Sequence, residues 1–195
     1  LSAVKDFDPE DKAGFFANTY RAYNCLLTIV CSSIIVGDKI LAHFLYAKDF
    51  YVAWRYVPWL TIAIVFGALS GYIGGFFTAV KDSKIFAHST IAGAVTNVIL
   101  NILLTPFMGP LGSAMATMIC YVEVWAVRLY HSKKYIKLRI NMKRDVFSYL
   151  ILIAQSTMLL LIECNILLYS LLGIGLIAIL ALYKSDINLM LKKIL

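Results

Sequence analysis

The residues with the most chemical potential in this sequence lie inside long apolar stretches. Asn97 and Asn101 are four residues apart, so a helix places both amides on one face. Glu123 is a carboxylate within another apolar stretch, and Lys39 is a cation within a third. Amides and charges are costly to expose to lipid and need partners or water. We therefore identify these four residues as candidates to line a hydrated substrate cavity.

Each candidate also has a plainer interpretation. The asparagines can hydrogen-bond to neighbouring helices, and Lys39 can extend toward the outer membrane surface. Glu123 lies within two turns of its predicted helix end, where it can reach Arg128 or lipid headgroups. If Glu123 instead faces the cavity, it is the best candidate in this sequence for a proton or cation relay.

A second group of basic residues lies where apolar stretches meet polar connections. Lys81, Lys84, His88 and Arg128 carry cationic groups suited to a phosphate at the cytoplasmic mouth of a cavity. The alternative is that they are ordinary residues of the membrane–water interface.

No set of residues points to catalysis or metal binding. The sequence has no G-x-S-x-G, H-E-x-x-H or P-loop motif and no C-x-x-C pair. Its histidines, His43, His88 and His131, lie in different parts of the chain. We therefore predict that the protein is not an enzyme, has no catalytic residues, and binds no metal or other cofactor.

The composition indicates which elements must position these residues. The 195 residues are 61% hydrophobic and 15% charged, with a mean hydropathy of +0.80. Soluble domains are about 45–50% apolar and about 25% charged, so a soluble fold is excluded. The net charge of +7 then reflects basic loops, and we expect no nucleic-acid partner. The prediction is an all-α, polytopic membrane helix bundle.

Six stretches are long enough to cross the bilayer, which takes about 20 mostly apolar residues. We predict spans at 23–46, 56–80, 85–107, 111–130, 146–164 and 166–183. Gly67, Gly71 and Gly75 repeat at four-residue spacing in the second span, which favours close helix packing. Almost nothing but Asn165 joins the last two spans, which indicates a tight helical hairpin.

The polar segments complete the predicted organisation. It comprises a cytoplasmic amphipathic helix at 1–22, four spans within 23–130, a basic cytoplasmic loop at 131–145, a two-helix transmembrane hairpin at 146–184 and a cytoplasmic tail at 185–195. Asp8 can cap a helix that begins at Pro9, with Glu10 and Asp11 in its first turn. Because Leu1 rather than Met begins the chain, we expect the C-terminal portion of a longer protein.

Lysine and arginine set the predicted orientation. Of the 18 such residues, all but Lys39, Lys48 and Arg55 share one side when the N-terminus is inside, so both ends are predicted to be cytoplasmic. The basic loop 131–145 can anchor on anionic headgroups, at about 1 kcal/mol per basic residue near the surface. Alternatively, it docks a phosphate-bearing lipid substrate or a cytosolic enzyme.

Five runs of the chain resemble motifs of bacterial polysaccharide flippases, in the same order. They are FYVAWRYVPWL at 50–60, FFTAVK at 76–81, AVTNVILN at 94–101, LLTPFMGPLGSAMAT at 103–117 and VRLYHSKKYI at 127–136. Asp82 stands where that family has a second Lys. Over about residues 6–156, the chain resembles the oligosaccharide-flippase branch of the multidrug/oligosaccharidyl-lipid/polysaccharide exporter superfamily.

This resemblance implies a transporter of about twelve to fourteen helices in two lobes, of which this chain forms most of the second. It implies flipping of a polyprenyl-pyrophosphate-linked oligosaccharide from the inner to the outer leaflet of the bacterial inner membrane by alternating access. The product serves surface polysaccharides such as capsule or lipopolysaccharide. The implied partners are that lipid-linked oligosaccharide, membrane lipids and the missing N-terminal lobe of the same chain.

Other functions stay open from the sequence. A cation-coupled multidrug exporter of the same superfamily would share the helices but not the runs at 50–60 and 127–136. A membrane-embedded polysaccharide polymerase or transferase would need a large outer loop, whereas the longest here is about 47–55. A six-span partner subunit without transport activity is a third alternative.

Overall fold

A computed structural model describes residues 10–11, 14–45 and 48–194 of the chain. These residues form α-helices and one 3-10 helix, with no strand among them. The elements are α1 Phe15–Leu45, the 3-10 helix η1 Lys48–Arg55, α2 Val57–Ala79, α3 Ser83–Met108, α4 Pro110–Ser132, α5 Met142–Leu161, α6 Asn165–Leu182 and α7 Lys184–Ile194.

Helices α1 to α6 are each long and apolar enough to cross a membrane. The shortest, α6, has 18 residues, which at about 1.5 Å per residue approaches the hydrocarbon thickness of about 30 Å. The predicted all-α polytopic architecture with about six transmembrane helices is therefore confirmed. The chain is a multi-pass membrane protein.

The predicted start of the first helix is wrong. Residues 8 and 9 lie outside the described residues, but Glu10 and Asp11 precede the helix rather than forming its first turn. The carboxylate of Asp11 caps the helix from outside by accepting hydrogen bonds from the backbone N–H groups of Phe16 at 3.0 Å and Ala17 at 2.9 Å. The helix begins at Phe15 and continues without a break into the first span.

Helix ends elsewhere shorten the predicted polar segments. Helix α4 extends to Ser132 and α5 begins at Met142, so only residues 133–141 of the basic segment connect helices. The side chain of Asn141 caps α5 by accepting a hydrogen bond from the backbone N–H of Arg144 at 3.3 Å. The predicted tail forms a further helix, α7. The last hairpin turns at residues 162–164, before Asn165.

The chain divides into two compact units. The first unit contains residues 1–21 and 63–140, and the second contains residues 22–62 and 141–195. Helices α1 and α2 each contribute residues to both units.

In the first unit, α3 and α4 form a tight hairpin. Gly109 joins them with φ at +59°, a left-handed conformation that favours glycine. A Cβ on Gly112 would lie 2.6 Å from the carbonyl oxygen of Leu104, and a Cβ on Gly93 would overlap Val124. The glycines therefore allow a close approach that any larger residue would prevent.

Aromatic side chains fill the interior of the first unit. Phe66 of α2 packs edge-on against Trp125 of α4, with ring centroids 5.2 Å apart. The indole N–H of Trp125 donates to the hydroxyl of Tyr20 at 3.1 Å, and the hydroxyl of Tyr72 donates to the carbonyl of Phe16 at 2.8 Å. These bonds join the first turns of α1 to α2 and α4.

In the second unit, α5 packs against α6. Its fully buried side chains include Leu152 and Leu159 of α5 and Leu168 and Leu172 of α6. A Cβ on Gly175 would lie 2.7 Å from Nε2 of Gln155, so this glycine admits a polar side chain between the two helices.

Candidate anion-binding site

Arg128 lies in the interior of the first unit. It is four residues before the end of α4, about 6 Å along the helix axis at 1.5 Å per residue. Its side chain points between α2 and α3 and is only 5% exposed. The sequence identifies Arg128 as a basic group at the mouth of a cavity; the structure shows that its guanidinium is buried.

Two helices, α2 and α3, supply three oxygen acceptors to this guanidinium. Nε donates to Oγ of Ser89 at 2.9 Å, and Nη2 donates to Oγ1 of Thr90 at 2.9 Å. Nη1 donates to the backbone carbonyl of Ser70 at 3.0 Å. All three acceptors are neutral, so they orient the guanidinium without cancelling its charge.

Phe86 organises the α3 side of this site. The hydroxyls of Ser89 and Thr90 each donate to the carbonyl of Phe86 at 2.9 Å, which leaves their lone pairs for Arg128. The ring of Phe86 lies 4.1 Å from the guanidinium carbon, in cation–π contact. A Cβ on Gly74 would lie 2.7 Å from the Phe86 ring and 3.1 Å from Nη1, so α2 needs glycine here.

The charge of Arg128 has no carboxylate partner within the described part of the chain. A guanidinium has five N–H groups, of which three donate here. The other two have no acceptor among residues 10–11, 14–45 and 48–194. A buried cation with spare, fixed donors is arranged to accept an anion.

The other three predicted mouth residues are exposed. Lys81, Lys84 and His88 lie at the start of α3 and in the turn before it, and none of them contacts Arg128 in the described residues. Asp82, between the two lysines, accepts a hydrogen bond from the hydroxyl of Tyr135. This bond lowers the pKa of Asp82 below its ordinary value and raises the pKa of Tyr135.

The predicted cavity residues of α3 hydrogen-bond along their own helix. Nδ2 of Asn101 donates to the backbone carbonyl of Asn97 at 2.9 Å and to its Oδ1 at 3.1 Å. Asn97 lies against Cys120 of α4, and Glu123 is one turn from Cys120. All three predicted residues are half-buried. The structure thus brings Asn97 and Glu123 to the same helix–helix boundary, which suits the packing interpretation of the asparagines.

Lys39 belongs to the second unit. Its Nζ lies 4.7 Å from the ring centroid of Trp54 in η1, in cation–π contact. On the same side of α1, His43 approaches Tyr51 of η1 with ring centroids 6.4 Å apart. The 3-10 helix therefore folds back along the last turns of α1.

The sequence analysis missed a polar stripe on α1. Asn24, Thr28 and Ser32 repeat at four-residue spacing and are completely buried. Oγ of Ser32 donates to Oε1 of Gln155 at 2.9 Å, and Oδ1 of Asn24 accepts from the hydroxyl of Tyr149 at 2.9 Å. The four-residue spacing was visible in the sequence and is the same signal that identified Asn97 and Asn101.

A buried ion cluster also went unrecognised in the second unit. Arg144 pairs with Asp145 through Nε at 3.1 Å and Nη2 at 3.0 Å, and its Nη1 pairs with Asp186 of α7. The guanidinium carbon lies 4.4 Å from the ring of Tyr183, whose hydroxyl donates to Asp145 at 3.0 Å. Burial raises the pKa of Tyr183, so this hydroxyl stays protonated as a donor.

Asp38 of α1 is the most isolated carboxylate of the second unit. It is 2% exposed, and its Oδ2 is buried with no hydrogen-bond partner in the described residues. Among the described residues no ion pair holds it either. A carboxylate in this position within a membrane-spanning helix is a candidate to bind a proton or cation. Sequence reasoning placed that role on Glu123, which is less buried.

No protein-family model, curated protein or solved structure matches this chain.

Proposed function

We propose that this chain is part of a membrane transporter that moves a phosphate-bearing lipid across the bilayer. The specific proposal is flipping of a polyprenyl-pyrophosphate-linked oligosaccharide from the inner to the outer leaflet of the bacterial inner membrane, for surface polysaccharide. The observation that carries it is the buried guanidinium of Arg128, which has neutral partners and two unused N–H groups.

The chemistry of arginine supports a phosphate rather than another ligand. A guanidinium is always charged and presents its N–H groups in a planar fork that matches two phosphate oxygens. Phe86 and the hydroxyls of Ser89 and Thr90 hold this fork in one orientation before any ligand arrives. In the proposed cycle, a pyrophosphate reaches Arg128 when α2, α3 and α4 separate, and the neutral hydrogen bonds exchange for charged ones.

The resemblance at 50–60, 76–81, 94–101, 103–117 and 127–136 supports the same proposal. In this proposal, a second lobe supplies the rest of the cavity and both ends of this chain are cytoplasmic. Arg128 then lies near the cytoplasmic end of α4, where a substrate from the inner leaflet enters.

The test uses purified protein that contains this whole chain, reconstituted in vesicles with a fluorescent polyprenyl-pyrophosphate-linked sugar. A membrane-impermeant quencher reports how fast the label exchanges between leaflets. We expect Arg128→Gln to slow exchange at least tenfold and Arg128→Lys to slow it less, because lysine keeps the charge but loses the fork. Arg55→Gln removes an exposed arginine of η1 and is the matched control.

The outcomes separate binding from folding. Only variants with the thermal stability of the wild type in detergent are compared, and each is reconstituted in the vesicles in the same amount. Slow exchange by a stable Arg128→Gln protein supports the proposal. Exchange at the wild-type rate by that variant, or no exchange by the wild type, contradicts it.

One observation favours a second candidate, a cation-coupled drug exporter of the same superfamily. Asp38 is a buried carboxylate without a hydrogen bond to its Oδ2, as expected of a group that exchanges a proton or cation. In this case Asp38→Asn abolishes export of a cationic dye driven by a pH or sodium gradient, while Glu123→Gln does not. Absence of dye export by the wild type excludes this candidate.

A further inference from the structure

Two connections of the first unit lie together at one end of its helices. Residues 80–82 connect α2 to α3, and residues 133–141 connect α4 to α5. Because two spanning helices separate them in the chain, membrane topology places both connections on the same side. The contact between them agrees, since the hydroxyl of Tyr135 donates to the carboxylate of Asp82.

Two packing contacts and one exposed ion pair hold the longer connection in one conformation. Ile136 is almost completely buried, and the ring of Tyr135 packs edge-on against Phe77 with centroids 6.0 Å apart. Nζ of Lys137 pairs with Glu10 at 2.9 Å. These contacts fix the backbone from which the neighbouring basic side chains project.

The two connections and the first turn of α3 together present five exposed basic residues, which we name the basic surface. They are Lys81, Lys84, Lys133, Lys134 and Arg139. None of the five pairs with a carboxylate in the part of the chain that the structure describes. Segment 131–144 contains no acidic residue, and Asp82, beside Lys81, keeps its negative charge while it accepts a hydrogen bond from the neutral hydroxyl of Tyr135. The five cations of the basic surface outnumber the one carboxylate beside them, Asp82, so the surface carries a net positive charge.

We propose that the basic surface binds the anionic headgroups of membrane phospholipids. It lies in short connections between spanning helices and in the first turn of α3, so its side chains are at the level of the lipid phosphates. Tyr130, in the last turn of α4, is 71% exposed and approaches Nζ of Lys133 at 5.9 Å from the ring centroid. An exposed tyrosine beside lysines is typical of the membrane interface.

Charge and position together favour this occupant over a cytosolic one. A phospholipid supplies a phosphate at a fixed depth and needs no cavity, whereas the connections are too short to extend far from the membrane. Lipid binding here does not depend on the proposed transport function, because the basic surface is exposed and Arg128 is buried.

The test is native mass spectrometry of the full protein in detergent, titrated with phosphatidylglycerol or phosphatidylcholine. We expect selective retention of phosphatidylglycerol by the wild type. Replacing Lys133, Lys134 and Arg139 together with Gln should weaken its binding about tenfold or more. The control replaces Arg55, Lys184 and Lys192 with Gln, which removes the same charge from other exposed positions and should leave most of the binding intact.

A soluble competitor distinguishes a lipid surface from a general anion site. Glycerophosphoglycerol, the headgroup without its acyl chains, should fail to displace phosphatidylglycerol at equal concentration. Complete displacement by it, equal loss of binding in both triple variants, or equal retention of the two lipids by the wild type would overturn the proposal.

The Tyr135 contact gives a second, independent variant. Tyr135→Phe keeps every charge but removes the hydrogen bond to Asp82. Because this hydrogen bond helps to order the backbone of the connection, we expect Tyr135→Phe to bind phosphatidylglycerol about two- to threefold more weakly than the wild type. This effect is smaller than that of removing the three charges in the triple variant. A loss as large as that of the triple variant would contradict a mechanism based on charge.

Discussion

Each unit holds an arginine with little solvent exposure, and the two arginines have opposite surroundings: Arg128 is buried, and the side chain of Arg144 is 11% exposed. Arg128 of the first unit donates only to hydroxyl and backbone carbonyl oxygens. Arg144 of the second unit is paired with the carboxylates of Asp145 and Asp186. Both guanidinium groups also lie against an aromatic ring, at 4.1 Å from Phe86 and 4.4 Å from Tyr183.

Under the proposed function, this difference separates an arginine with a structural role from an arginine that binds the ligand. Arg144 joins α5 to α7 by charge, so its removal leaves carboxylates buried without their counter-ion. Arg128 joins α2, α3 and α4 through groups that remain satisfied without it, since Ser89 and Thr90 also donate to Phe86. A cation held by neutral oxygens retains its affinity for an anion, whereas a neutralised cation does not.

The largest expected effect comes from Arg144→Met. We expect a loss of about 3 kcal/mol in the free energy of unfolding, because breaking a buried ion pair leaves the Asp145 carboxylate uncompensated. Denaturant titration of the protein in mixed micelles measures it. Arg55→Met, at an exposed position, is the control and should change stability by less than about 0.5 kcal/mol.

A second substitution tests the cause of that loss. Adding Asp145→Asn to Arg144→Met removes the stranded charge, so the double variant should be more stable than Arg144→Met alone. Equal or lower stability of the double variant would show that packing against Tyr183, rather than charge, explains the effect.

Arg128→Met should lower the free energy of unfolding by less than Arg144→Met does, about 2 kcal/mol. Three hydrogen bonds are lost, but no carboxylate is left buried without a counter-ion. The same denaturant titration checks this value beside that of Arg144→Met. A loss equal to or greater than that of Arg144→Met would mean that the charge of Arg128 is compensated within the unit.

Gly74→Ala disturbs the Arg128 site without changing its charge. The new Cβ would lie 2.7 Å from the Phe86 ring and 3.1 Å from Nη1 of Arg128, so these groups must shift. We expect a loss of about 1 kcal/mol from this overpacking. Gly71→Ala, whose Cβ would have no neighbour within 4 Å, is the matched control. It should be neutral or slightly stabilising because alanine favours helix. Equal destabilisation by both would rule out the steric cause.

The smallest effect is expected at the partly exposed contact between Tyr135 and Asp82. The hydrogen bond lowers the pKa of Asp82 in the folded protein. The bond therefore contributes fully to folding stability above the pKa of Asp82 in the unfolded chain, about 3.9. This contribution is lost as the pH falls through the lower pKa of the folded state. Unfolding midpoints of wild type and Tyr135→Phe should therefore differ slightly at neutral pH and converge below about pH 4. A difference that grows in acid would contradict this assignment.

Several features of the fold could be read from the sequence because they depend on local patterns. The six spanning helices follow from runs of apolar residues, and the structure contains all six. Helix ends were less predictable because they depend on which polar group caps the backbone. Asp11 performs this role for α1.

The glycine stripe shows where spacing alone misleads. Gly67, Gly71 and Gly75 have the regular spacing, yet a Cβ on Gly71 or Gly75 would have no neighbour within 4 Å. Gly74, outside that stripe, is the position that Phe86 and Arg128 crowd. Which face of a helix meets a neighbour depends on the packing of the other helices, and periodicity does not encode it.

The amino-acid sequence by itself determined that this is a multi-pass membrane protein of helices with polar residues at helical spacing. Hydropathy and charge are summed along the chain, so no tertiary information was needed. Only the tertiary structure decided that Arg128 is buried among neutral oxygens while Arg144 is neutralised by Asp145 and Asp186. The two arginines have the same side chain, and their different chemistry comes from residues distant in sequence that folding brings within hydrogen-bonding distance.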